Sequence, residues 1–167
     1  MSDTDFNGKN VLVVGGTSGI GRAVATALVA LGAEELRLVD RESAKAEALA
    51  SELRALKDAP DVKVYSDAET AAWGASGLLN GTPVGMVGYD GTPLPRQAMA
   101  GAKWAFDAVY TPIDTQFLND AAAEDLTIIS GYELFFFQGV HAWSHFSGLP
   151  LDKTRLRADL LEKGEAA

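Results

Sequence analysis

The segment Gly15-Gly16-Thr17-Ser18-Gly19-Ile20-Gly21 places four glycines within seven residues, directly after the apolar run Val11-Leu12-Val13-Val14. A run of that kind ending at glycine reads as a strand buried on both faces. The residues that follow, Ala23, Val24, Ala27, Leu28 and Leu31, recur at helical spacing, and Gly32 is placed to close the helix. In such a strand-turn-helix unit one glycine permits the tight turn, a second lets the backbone approach a pyrophosphate, and a third lets helix and sheet pack closely. The first-turn N–H groups of the helix lack internal partners and, with the helix dipole, favour an anion. Arg22 is placed to add positive charge.

An acidic residue is expected about 20 residues further on, at the end of the second strand. Asp40 occupies that place after Leu36-Arg37-Leu38-Val39. Its carboxylate suits an adenosine ribose diol and repels a 2′-phosphate, which favours NAD over NADP. Arg41 can stack on adenine or contact a phosphate, and Glu42 adds negative charge that pushes the preference further towards NAD. Strand, turn, helix, second strand and terminal acid fall in the order a dinucleotide site requires. The residues named for it are Gly15, Gly16, Thr17, Ser18, Gly19, Ile20, Asp40 and Arg41.

The rest of the chain continues the alternation. Ser43 to Leu56 reads as a helix with Ser43 as its N-cap, and Val62–Tyr65 as a third strand. Further strands are expected at 77–80, 104–107 and 126–129, and further helices near 67–73, 114–124, 133–146 and 152–163. Asp152 is placed to cap the last of these. Alternating strands and helices predict a Rossmann-like, doubly wound parallel sheet in a three-layer α/β/α arrangement. Gly81 to Arg96 is the one long irregular segment, and long loops in compact α/β domains are usually functional. With no repeats and no linker, residues 1–167 read as one domain.

Composition narrows the partners. The 167 residues are 47% hydrophobic and 22% charged, enough apolar material for a real core. A net charge of −9 argues against nucleic acid, which needs a basic face. No apolar run approaches the ~20 residues of a membrane span, so no membrane partner is expected. Cysteine is absent and the acidic N-terminus lacks a signal peptide's pattern, which together predict a cytoplasmic protein. His141 and His145 are four apart on a predicted helix, but no third ligand is at hand, so no metal is expected. Glu34-Glu35 reads as a solvated turn.

Three further segments carry a family resemblance. Asn80-Gly81-Thr82-Pro83-Val84-Gly85-Met86 resembles the Asn-Ala-Thr-Pro-x-Gly-Met signature of the shikimate and quinate dehydrogenases. Asp107-Ala108-Val109-Tyr110-Thr111-Pro112-Ile113-Asp114-Thr115 is similar to that family's Asp-x-Val-Tyr-x-Pro-x-x-Thr segment. Gly131, Gln138-Gly139 and Gly148 match its Gly…Gln-Gly…Gly helix. The resemblance covers about Gly8 to the C-terminus and is to the family's C-terminal NAD(P)-binding domain. It implies that Asn80, Thr82, Met86, Tyr110 and Gly131 line the nicotinamide pocket, with Pro83 and Val109 also at the cofactor site. It also implies that Gln138, a polar residue on an otherwise aromatic helix, reaches a hydroxyl of the substrate. The activity implied is reversible hydride transfer between the C3 carbon, which bears the hydroxyl, of a cyclic polyol acid, quinate or shikimate, and NAD.

The departures are informative too. The glycine turn is one residue longer than the family's Gly-Ala-Gly-Gly-Ala and reads like the Gly-x-x-x-Gly-Ile-Gly turn of short-chain dehydrogenases. Where the family has Asn-Arg-Thr, suited to NADP, this chain has Asp40-Arg41-Glu42, which again favours NAD. The family's N-terminal substrate domain, with its catalytic Lys and Asp, is expected to be absent, with Asp5 as a faint echo of the Asp. The general acid and base are therefore unassigned. A short-chain dehydrogenase would use a Tyr-x-x-x-Lys pair, yet Tyr65, Tyr89, Tyr110 and Tyr132 are followed four residues on by Glu69, Pro93, Asp114 and Phe136. The alternative of a different class is a non-catalytic NAD-binding module, or a cofactor-binding subunit that needs a separate substrate domain. Leu156, Leu160 and Leu161 on the last helix then predict a homo-oligomer or a companion substrate-domain chain.

Overall fold

The computed structural model describes residues 6–164. The chain divides into two compact units, Met1–Gly131 and Tyr132–Ala167.

The first unit is a six-stranded sheet in the order β3-β2-β1-β4-β5-β6, with every pairing parallel. Its strands are β1 (Asn10–Val14), β2 (Glu35–Val39), β3 (Asp61–Tyr65), β4 (Gly77–Asn80), β5 (Trp104–Asp107) and β6 (Thr127–Ile129). The helices between them are α1 (Gly19–Ala30), α2 (Ser43–Arg54), α3 (Ala68–Ala72) and α4 (Gln116–Ala123), with a 3-10 turn at Arg96–Met99.

Strand side chains alternate between faces, and each face has its own core. Val11, Val13, Leu36, Leu38 and Leu79 meet Ala25, Leu28 and Val29 of α1 and Leu49, Ala50 and Leu53 of α2. Leu12, Leu78 and Ala105 meet Ala71 of α3 and Phe117, Leu118 and Ala121 of α4 on the other. Two apolar faces explain why the central strands read as continuous hydrophobic runs. β3 and β6 are the edge strands, and in β6 Ile128 and Ile129 are both exposed.

Three local expectations need correction. Ser43 is the first residue of α2 and Glu42 its N-cap, with no side-chain capping bond at that end. Arg22 sends its guanidinium to Glu52 on α2, so its charge is not offered to the glycine turn. Glu35 is not in a solvated turn but opens β2, with its carboxylate accepting hydrogen bonds from Arg37 and Lys63. Asp152 does cap its helix, accepting a 3.0 Å bond from the Arg155 N–H.

The second unit holds α5 (Gly131–Ser147), from Tyr132 on, and α6 (Lys153–Gly164). Arg157 of α6 bonds to both carboxylate oxygens of Glu133 on α5, and its guanidinium lies 4.1 Å over the Phe136 ring. No helix among the described residues is long and apolar enough to cross a membrane.

Candidate functional site

The order of the strands reverses at β1, which has β2 on one side and β4 on the other. The carboxyl ends of strands at such a switch point leave a crevice. A cleft of about 680 Å³ opens there. It is lined by Gly15, Thr17 and Ser18 after β1, by Asp40, Arg41, Glu42 and Lys45 after β2, and by Gly81–Val84 after β4. Tyr89, Thr92 and Pro93 of the long loop complete the wall.

Close packing at the glycine turn comes from the absence of side chains. A Cβ on Gly21 would sit 2.3 Å from the Gly15 carbonyl oxygen. That contact is with backbone and has no flexible group to move aside. Gly19 stands at φ +50 with nothing within 4 Å of where its Cβ would be, so the turn is open on that side. Ser18 is the N-cap of α1 and makes no side-chain capping bond. Asp40 Oδ2 accepts from the Thr17 hydroxyl at 2.6 Å, and Oδ1 accepts from the Glu42 N–H at 2.9 Å. Glu42 pairs with Lys45 at 2.6 Å, so its charge is balanced within the cleft wall.

Of the residues expected from sequence, Gly15, Thr17, Ser18, Asp40, Arg41, Thr82 and Pro83 meet in this one cleft. Gly16 is buried beneath the turn, and Ile20 is partly buried at the start of α1. Asn80 is fully buried and does not line the cleft. Its side chain is engaged at both ends: Nδ2 donates to the Val84 carbonyl at 3.1 Å and to Asp107 Oδ1 at 2.9 Å, while Oδ1 accepts from Thr82 N–H and hydroxyl. Met86, partly buried, donates its N–H to the Pro83 carbonyl at 3.0 Å. Val109 is buried and donates its N–H to Asp107, while Tyr110 is exposed. Gly131 starts α5 so close to the carbonyls of Ala108 and Val109 that a side chain would collide with them. Gln138 lies in the second unit and is exposed. His141 and His145 are also exposed, and Asp5 lies outside the described residues.

Sequence reasoning did not name Lys45, Val84, Tyr89, Thr92 or Pro93 as lining residues. Val84 belongs to the Asn80–Met86 motif, and Tyr89, Thr92 and Pro93 lie further along the loop already marked as functional by its length. Lys45 carried a weaker signal, standing in the first turn of the helix that begins at Ser43.

Fold and cleft together define a Rossmann-like α/β domain of the dinucleotide-binding type. The sequence pattern of the short chain dehydrogenase family matches residues 9–72, the stretch from β1 to α3. Over a longer span the chain is 36% identical, across 148 residues, to the quinate/shikimate dehydrogenase (NAD(+)) of Corynebacterium efficiens. That match covers 87% of this chain and 52% of the relative. The shikimate dehydrogenase (NADP(+)) of Haloarcula marismortui is 39% identical over 162 residues, covering 95% of this chain and 58% of its own. Quinate dehydrogenase from Corynebacterium glutamicum in complex with NAD superposes with a TM-score of 0.79 at 32% identity, over 92% of this chain and 55% of that one. The chain is a relative of the shikimate and quinate dehydrogenases, and it spans about half the length of the curated relatives it matches.

Proposed function

We propose that this domain binds NAD in the cleft at the ends of β1, β2 and β4, and that it serves a shikimate- or quinate-type dehydrogenase reaction. The observation that carries the reading is the convergence of Gly15, Thr17 and Ser18 with Asp40 and with Thr82–Val84 on one cleft of about 680 Å³. The residues fit the group. The glycine turn leaves backbone N–H groups and the start of α1 beside open space for a pyrophosphate, and Asp40 keeps carboxylate lone pairs beyond those its two donors occupy. A carboxylate held there accepts from a ribose diol and repels a 2′-phosphate, which supports NAD over NADP. The relatives' names include both cofactors, so the preference rests on Asp40.

When bound, the nicotinamide would supply hydride to, or take it from, the C3 carbon of a cyclic polyol acid. The chain's own part is to orient the dinucleotide: the glycine turn and the α1 N-terminus hold its phosphates, Asp40 its adenosine ribose, and Thr82–Val84 the wall across from the turn. Arg41 at the cleft edge is suited to the adenine face. Gln138 is proposed for a substrate hydroxyl, and a second copy or a companion substrate-domain chain for the remaining contacts.

The test is titration of the purified chain with NADH and with NADPH, followed by nicotinamide fluorescence. Saturable NADH binding with weaker NADPH binding is expected, and absence of both would overturn the reading. Quinate- or shikimate-dependent reduction of NAD then separates a dehydrogenase from a module that binds the cofactor without turnover.

A further inference from the structure

The polar side chains fully buried among the described residues are Asn80, Asp107 and Thr115, and they form one connected group. Parallel pairing of β4 with β5 sets Asn80 directly beside Asp107 at the strands' carboxyl ends. Asp107 Oδ1 accepts from Asn80 Nδ2 at 2.9 Å and from the Val109 N–H at 3.0 Å, and Oδ2 accepts from the Thr115 hydroxyl at 2.6 Å. Burying a carboxylate is costly even when it is bonded, so packing alone does not call for one here.

The connections show what the carboxylate holds. Asp107 fixes the Asn80 amide, and that amide fixes the loop after β4 through Thr82 N–H at 3.0 Å, the Thr82 hydroxyl at 2.6 Å and the Val84 carbonyl at 3.1 Å. The Thr82 hydroxyl in turn accepts from the Val84 N–H at 3.1 Å. Thr82 and Val84 wall the cleft; Asn80 and Asp107 do not reach it. The other branch, through Thr115, caps α4 by accepting from the Leu118 N–H and leads away from the cleft.

We infer that Asn80 and Asp107 are positioning residues for the cleft's ligand: they fix the Thr82–Val84 wall and make no contact with the ligand themselves. This rests on the dinucleotide reading above. Asp40 follows β2, whereas Thr82 follows β4, on the other side of β1. A ligand confined to the adenosine side therefore does not need the Thr82 wall, and a full dinucleotide does.

The experiment is calorimetric titration of wild type, N80A, D107A, D107N and T115V with NADH and with ADP, alongside thermal melts. N80A and D107A should weaken NADH about tenfold while ADP changes by less than about twofold. D107N should recover most of the loss in D107A, because its amide oxygen still accepts from Asn80 and its NH2 can donate to the Thr115 oxygen. T115V should lower the melting temperature without moving the NADH-to-ADP ratio. If N80A leaves that ratio unchanged, or T115V shifts it equally, the network is core packing and the inference falls. If N80A does not fold, the ratio in D107A against that in D107N makes the same distinction. Wild type that binds neither ligand overturns the dinucleotide reading itself, an outcome distinct from an unchanged ratio.

Discussion

The hydroxyl of Thr17 donates a 2.6 Å hydrogen bond to Oδ2 of Asp40, joining the glycine turn after β1 to the end of β2. With the Glu42 N–H on Oδ1, the carboxylate is held by one donor on each oxygen. Each oxygen keeps a further acceptor site, so the group is oriented before any ligand arrives. Asp40→Asn or Asp40→Ser should relax discrimination against NADPH by ~1–2 kcal/mol, the scale of a charge-assisted hydrogen bond. The ratio of NADH to NADPH dissociation constants reads this directly. An unchanged ratio would remove Asp40 from the ribose contact.

Two glycines of the turn separate folding from binding. Gly21→Ala puts a methyl 2.3 Å from the Gly15 carbonyl oxygen, which must displace α1 from the strand it follows. It should cost roughly 3 kcal/mol or more, as severe overpacking against backbone does. Gly19→Ala meets nothing within 4 Å and pays only for a positive φ, roughly 1–2 kcal/mol. Its methyl would stand at the open side of the turn. Thermal melts should therefore show G19A folded and G21A badly compromised, while NADH titration of G19A should show binding weakened at least about tenfold. Wild-type affinity in G19A would mean the ligand does not pass that side of the turn.

Asp107 should give stability a pH dependence of unusual sign for a carboxylate. Burial pushes its pKa up, and this outweighs the lowering by bonds from Thr115, Val109 and Asn80. A carboxyl with a raised folded pKa contributes stability that is fully present below its unfolded pKa and is lost as pH rises through the folded one. Asp107→Asn, which is neutral throughout, should thus melt at or above wild type at pH 7. Its advantage should shrink as pH falls through the raised folded pKa, where wild type becomes protonated as well. A difference that stays constant across this range would mean Asp107 keeps an ordinary pKa.

The order of strands and helices was legible because each sheet face has its own core, so the central strands appear as uninterrupted apolar runs between helix-period segments. The glycine turn and Asp40 were legible because their spacing follows from one βαβ unit. The Asn80–Asp107 bond was not, since it joins residues 27 apart whose meeting depends on β4 pairing with β5 in a particular register. Motif resemblance drew attention to Asn80 and gave it a place beside the ligand, where the structure has it buried beneath the loop. Glu35 failed for a related reason: a Glu-Glu pair reads as solvent-facing until the partners on the neighbouring strand are known.

Those partners make Glu35 the clearest ion-pair test in the sheet. Its carboxylate lies between Arg37 on its own strand and Lys63 on β3, and Arg37 also holds the carbonyls of Ala71 and Trp73 at 2.9 and 2.5 Å. Burial alone would raise the Glu35 pKa, but the hydrogen bonds from Lys63 and Arg37 prevail and hold it below its usual 4.5. A lowered carboxyl pKa contributes stability present above the unfolded value and lost as pH falls through the folded one. At neutral pH Glu35→Gln should therefore destabilise the domain by about 1–2 kcal/mol, with the part-exposed Lys63 limiting the loss. As pH falls through that lowered value wild-type Glu35 becomes neutral too, and the two proteins should converge. Denaturant melts over a pH series running down from 7.5 check this, and a gap that never narrows as pH falls would assign the loss to shape instead of charge.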